Sequence, residues 1–71
     1  MNIQEATQCA IDLNIYMIRR KDWKRDGDIV VCISIKGSYS SMDMVCRRTL
    51  HTVTYLPSVF DILANDWEVV K

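Results

Sequence analysis

Ile29 to Ile35 reads Ile-Val-Val-Cys-Ile-Ser-Ile, and this run restricts the fold more than any other part of the chain. Alternate positions Ile29, Val31, Ile33 and Ile35 place four β-branched side chains on one face of a strand. Val30, Cys32 and Ser34 make the other face mixed. A period of two with β-branched residues is the signature of a strand whose one face lies on a core. The mixed face is expected to be at least partly covered. A 71-residue chain therefore has to supply partner strands and one covering element from what remains.

The covering element is found at the start. Ile3, Ala6, Ala10 and Leu13, with Cys9 alongside, form the stripe of a short amphipathic helix. Asn2 is its N-cap, Glu5 suits the positive end of the helix dipole, and Asn14 is a C-terminal stop tolerant of left-handed backbone. Ile15–Arg19 follows as a strand, and Asp26-Gly27 marks a hairpin turn within a polar loop from Trp23 to Asp28. Gly37 to Ser41 is a loop; Met42–Cys46 and His51–Tyr55 are strands around an Arg47–Leu50 turn that has no glycine. Pro57 ends the last of these. Ser58 to Asp61 has the form of a capping box opening a short helix through Asn65, and Trp67–Val70 closes as a strand. The fold class is α+β: a small antiparallel sheet with one N-terminal helix and a short C-terminal helix, residues 1–71 forming a single domain.

A chain of this length buries only about 60% of its unfolded surface. With 49% apolar residues, some of that surface is expected to be covered by further copies. Net charge is zero, which argues against a general polyanion binder. The charge is nevertheless uneven: Arg19, Arg20, Lys21, Lys24 and Arg25 fall together, and Arg47-Arg48 adds a pair. Cys9, Cys32 and Cys46 are odd in number and spaced for neither a disulfide framework nor a zinc knuckle, so reduced thiols in a cytoplasmic protein are expected. The acidic, broken start does not read as a signal peptide, and no stretch approaches the ~20 apolar residues of a membrane span.

For catalysis there is little to assemble. His51 is the single histidine, no nucleophile motif surrounds a serine or cysteine, and Asp22, Asp26 and Asp28 read as a solvated acidic turn. No catalytic residues, metal ligands or cofactor are expected. Binding is the stronger theme. Trp23 lies among Arg20, Lys21, Lys24 and Arg25, where a base can stack on the indole while guanidinium groups take phosphates. The competing role is a ring that plugs the end of the sheet while its basic neighbours point into water. Ser58 is either a plain N-cap or, with the amides of the first turn, an anion site. Trp67 reads as a core residue.

Two segments carry a family resemblance. One is Tyr55-Leu56-Pro57-Ser58 followed by Asp61-Ile62-Leu63-Ala64-Asn65-Asp66-Trp67 and the apolar Val69-Val70; the other is Ile18-Arg19-Arg20-Lys21-Asp22-Trp23. Together they resemble the Thoeris anti-defence type-two family of small phage and prophage proteins, over about a third of the chain. The resemblance implies a homotetramer built as a dimer of dimers, with pockets at subunit interfaces. It implies capture of a small-molecule cyclic nucleotide signal, a cyclic ADP-ribose isomer or a cyclic dinucleotide, without cleavage and in the bacterial host cytoplasm. Membrane and nucleic acid are not expected partners. The ligand-binding residues it points to are Trp23, Arg20, Lys21, Tyr55, Ser58 and Asp61. Tyr55 stands where relatives usually carry tryptophan, and Asp61 either accepts from ribose hydroxyls or completes the cap. The chain departs from the pattern where Lys24-Arg25-Asp26 separates Trp23 from Gly27, and in its short Gly37–Ser41 segment. The alternative is a protein-binding inhibitor, since a relative with this signature is linked to type II CRISPR inhibition.

Overall fold

In the computed structural model, which describes residues 1–71, the first helix (α1, Ile3–Asp12) begins in a reciprocal cap. The Glu5 amide donates to Asn2 Oδ1 at 2.8 Å, and the Asn2 amide donates to Glu5 Oε1 at 3.0 Å. Glu5 thus does more than meet the helix dipole. At the other end Asn14 takes a φ of 56°, with Asn14 N–H bonded to Ile11 O and Ile15 N–H to Ala10 O, both at 3.0 Å. These are the two bonds of a Schellman stop with asparagine in the left-handed position. Leu13 is the capping residue there and is 50% exposed, so the apolar stripe ends at Ala10. Ala6 and Ala10 are fully buried, and their small side chains let the helix lie close on the sheet.

Five strands follow: β1 (Met17–Arg20), β2 (Ile29–Lys36), β3 (Tyr39–Cys46), β4 (His51–Thr54) and β5 (Trp67–Val69). The short helix α2 (Val59–Leu63) precedes β5. The order across the open sheet is β4-β3-β2-β1-β5, every pair antiparallel. This is the expected α+β architecture, with differences in detail. β1 starts two residues later than expected because the Schellman stop uses Ile15, and Tyr16 has a φ of 61°. The region expected as a loop at Gly37–Ser41 is mostly strand: Lys36 pairs with Tyr39, leaving the two-residue turn Gly37-Ser38. Gly37, at a φ of 60°, supplies the positive φ that the first position of such a hairpin turn requires. The Arg47–Leu50 turn manages without glycine because Leu50 itself adopts a φ of 59°.

The core joins α1 to one sheet face through Ala6, Ala10, Ile18, Val31, Ile33, Tyr55 and Trp67. Ile35, expected on that face, is 49% exposed where the β2–β3 hairpin runs beyond the helix. Val30, on the opposite face, is fully buried. Arg19 bonds Glu68 at 3.0 Å and stands 3.8 Å from Asp28, which Arg47 grips at 2.8 Å, so ion pairs link β5, β1, the entry to β2 and the exit of β3. β5 is also tied to the chain start, where Trp67 N–H donates to Met1 O at 3.0 Å. No helix is long and apolar enough to cross a membrane.

Candidate functional site

β1 delivers Arg20 as its last residue, and the chain then tightens into a 3₁₀ turn, Lys21–Lys24. Three residues per turn align positions three apart. The basic cluster, continuous in sequence, is thereby divided. Arg20, Trp23 and Asp26 line one cleft with Asp22 and Asp66. Lys21 and Lys24 line a separate hollow with Asp22, Arg25 and Arg48. Trp23 is therefore flanked in space by Arg20 and carboxylates, while Lys21 faces the other side.

Trp23 is half-buried and meets two other rings edge to face. Its centroid lies 5.2 Å from that of Trp67 at an interplanar angle of 75°, and 6.2 Å from that of Tyr55 at 76°. Tyr55 and Trp67 close the triangle at 6.3 Å. Such geometry is favourable for aromatic quadrupoles and fixes ring orientation. Tyr55 and Trp67 are 5% and 1% exposed, so Trp23 is the ring of the three that reaches the surface.

Asp61 holds this cluster together. Its carboxylate accepts the Tyr55 hydroxyl at 2.9 Å and Arg20 Nη1 at 3.4 Å; its carbonyl accepts Trp67 Nε1 at 2.8 Å; its amide donates to Ser58 Oγ at 3.1 Å. Ser58 is thus an N-cap, but the carboxylate of Asp61 goes to Tyr55 and Arg20 and makes no return bond to Ser58 N–H. The capping box read from the sequence is half present. Arg20 also forks onto Asp66, with Nε at 2.8 Å and Nη2 at 3.4 Å. The hydrogen bond from Arg20 holds the Asp66 carboxyl below the usual carboxylate range, and Asp66 in turn raises Arg20. Burial first, then the bond to Asp61, pushes the Tyr55 phenol well above its ordinary range.

Trp23, Arg20, Tyr55, Asp61 and Ser58 are therefore linked in one network, and Lys21 stands outside it. Asp66 was not anticipated as Arg20's partner. Only the pairing of β1 with β5, which sets Arg20 opposite Trp67, brings it there, and nothing local in the sequence announces that pairing. With Arg20 held by two carboxylates, the cleft offers a partly exposed ring, Asp22 and Asp26. Those groups suit hydroxyl and amino donors, such as ribose or an exocyclic amine, better than they suit a phosphate. The cleft measures about 180 Å³. A wider open groove of about 500 Å³ runs along the outer side of α1, lined by Gln4, Gln8, Cys9 and Leu13 among others, away from these groups. No three His, Cys, Asp or Glu side chains are grouped to hold a metal ion.

A family model described as the Thoeris anti-defense 2-like domain, Tad2-like, matches residues 1–70. No curated protein and no solved structure matches the chain.

Proposed function

The chain belongs to the Thoeris anti-defense 2-like family, and from that premise we propose that it is a phage or prophage anti-defence protein that captures a cyclic nucleotide immune signal and holds it intact. The ligand is a cyclic ADP-ribose isomer or a cyclic dinucleotide. The observation that carries this reading is the placement of Trp23: a partly exposed indole, oriented by Tyr55 and Trp67, at the mouth of a cleft with hydroxyl-accepting carboxylates. Stacking on such a ring contributes roughly 1–3 kcal/mol per base. Competition with a host receptor requires nanomolar affinity, about −12 kcal/mol, so the ring is one contributor among several.

The rest comes from a second protomer. Pockets that enclose small molecules usually run to about 300–1,000 Å³, well above the 180 Å³ of this cleft. Next to it, α2 and its approach expose Leu56, Val59, Phe60 and Leu63, each more than two-thirds exposed. Apolar patches of this kind mark protein contacts. A neighbouring copy seated on α2 covers that patch, extends the cleft and supplies the cations that Arg20, already paired, does not. This supports a homotetramer with its pockets between subunits.

The test is capture and release. The purified protein is incubated with cyclic ADP-ribose isomers and with cyclic dinucleotides, desalted and heated, and the released molecule is weighed by mass spectrometry. Recovery of an intact cyclic nucleotide is the expected result, with Trp23→Ala losing capture at unchanged oligomer mass. Retention of none of them by the folded parent protein refutes the sponge reading and leaves the protein-binding inhibitor as the better one.

A further inference from the structure

On the far side of the 3₁₀ turn lies a feature that the aromatic cleft does not use. Lys21, Lys24 and Arg25, from the turn and its exit, face Arg48 of the β3–β4 turn across an open hollow of about 420 Å³. Arg48 lies more than twenty positions away in sequence and is brought there by the β2–β3 pairing. The hollow has no apolar side chain in its lining, and its one carboxylate is Asp22, which stands 3.6 Å from Arg25. The ion pairs of the chain engage Arg19, Arg20, Arg25 and Arg47 and leave Lys21, Lys24 and Arg48 without one. Four cations and one carboxylate thus face a single opening, in a chain whose net charge is zero.

The frame beneath these side chains is fixed. Lys21 N–H donates to Asp66 O at 3.1 Å, Asp28 N–H to Lys24 O at 3.2 Å, and Arg47 grips Asp28 with two hydrogen bonds, at 2.8 and 3.1 Å, immediately before Arg48. Like charges gathered around one opening raise the local positive potential and draw anions to it.

We infer that this hollow is a phosphate site that takes consecutive phosphate groups of an extended oligophosphate or phosphodiester chain. The absence of any ring or apolar wall leaves nothing to read a base, so recognition is through backbone charge and is independent of sequence. The open shape suits a ligand laid across the cations rather than one inserted. Zero net charge argued against nucleic acid as a partner; local concentration of charge reverses that argument at this one place.

The experiment uses the whole protein with a short fluorescein-labelled oligothymidylate, followed by anisotropy, and inorganic tripolyphosphate as competitor. With three phosphates engaged on a single strand, the salt slope is about −2, so a fourfold rise in salt weakens binding roughly 20-fold. Lys24→Glu and Arg48→Glu each weaken it at least about tenfold, and Lys24→Gln and Arg48→Gln flatten the salt slope by about one phosphate contact each. Trp23→Phe leaves it unchanged, and Arg48→Glu leaves cyclic nucleotide capture unchanged, so this site and the aromatic cleft stand or fall separately. Binding of the oligonucleotide with competition by tripolyphosphate assigns the site to phosphodiester chains; no oligonucleotide binding, with a Tm raised by tripolyphosphate in the parent and not in Lys24→Glu, assigns it to free oligophosphates. Binding of neither, salt-insensitive binding, charge-reversed variants equal to the parent, or equally tight binding of polyglutamate overturns the inference.

Discussion

Asp61→Ala isolates one carboxylate from a residue that also works through its backbone. The Ser58 cap and the Trp67 indole bond involve Asp61 N–H and C=O, which alanine retains. What disappears is the acceptor for the Tyr55 hydroxyl at 2.9 Å and the secondary partner of Arg20 at 3.4 Å. Arg20 keeps Asp66, so its loss is small. Tyr55 is 5% exposed, and its hydroxyl is left without a partner. An orphaned buried donor costs about 1–3 kcal/mol. Removing a carboxylate that is itself only 15% exposed returns part of that by ending its desolvation. The expected net loss is about 2 kcal/mol, which for a domain of this size lowers Tm by about 8–16 °C. Tyr55→Phe removes the hydroxyl instead, and the double variant then has no orphan. Its stability should fall within about 1 kcal/mol of Tyr55→Phe alone, a coupling that independent sites do not show. Thermal melts by circular dichroism at one fixed protein concentration, with native mass checked, measure all four corners. A Tm for Asp61→Ala within about 2 °C of the parent, or losses that simply add, refutes the role given to this carboxylate.

Three further outcomes follow from the same geometry. The folded state keeps the Tyr55 phenol neutral above its usual value of 10.0. Its contribution is therefore complete below pH 10 and is lost as pH rises through the elevated value, so the parent should melt earlier in alkali and Tyr55→Phe should lose less; parallel alkaline curves contradict this. Asp66 shifts the opposite way from its usual 3.8, so its contribution is present above that pH and lost as pH falls through the lowered value. Asp66→Asn should start less stable near neutrality and decline less in acid than the parent, with the gap narrowing in high salt because Asp66 is one-third exposed; equal acid slopes contradict it. Ala10→Leu forces a larger side chain between α1 and the sheet at a fully buried position, with an expected cost of about 1–3 kcal/mol in thermal melts, and an unchanged Tm means the helix does not lie as close as described.

Much of the fold is legible because its signals are local. Asn2 and Asn14 announce both ends of α1 through chemistry confined to a few residues, and the β2 alternation is complete within seven. The errors fall where tertiary pairing overrides local composition. Tyr39-Ser40-Ser41 lacks β-branched residues and reads as loop, yet the ladder that pairs Ile33 with Met42 continues through Ser41, Ser40 and Tyr39 opposite Ser34, Ile35 and Lys36. Leu13 fits the apolar stripe by spacing, but a helix that stops one residue earlier turns it outward. Leu50 replaces the missing glycine by adopting left-handed backbone itself, which no sequence pattern signals.

The site shows the same division more sharply. Proximity in sequence suggests that Trp23 and the surrounding cations act together, and a strand would set successive residues on opposite faces. The 3₁₀ turn instead sorts them by threes, sending Arg20 and Trp23 to one side and Lys21 and Lys24 to the other. What completes each side comes from distant segments: Asp61 and Asp66 from the α2–β5 region for the aromatic cleft, Arg48 from the β3–β4 turn for the basic hollow. Asp61 and Asp66 both lie within the C-terminal signature, where Asp61, six residues from both Tyr55 and Trp67, bonds to both. The signature is therefore a record of one hydrogen-bonded hub. Its six-residue spacings tie Tyr55 and Trp67 to one residue, and Trp23 packs edge to face on both with part of its ring left at the surface.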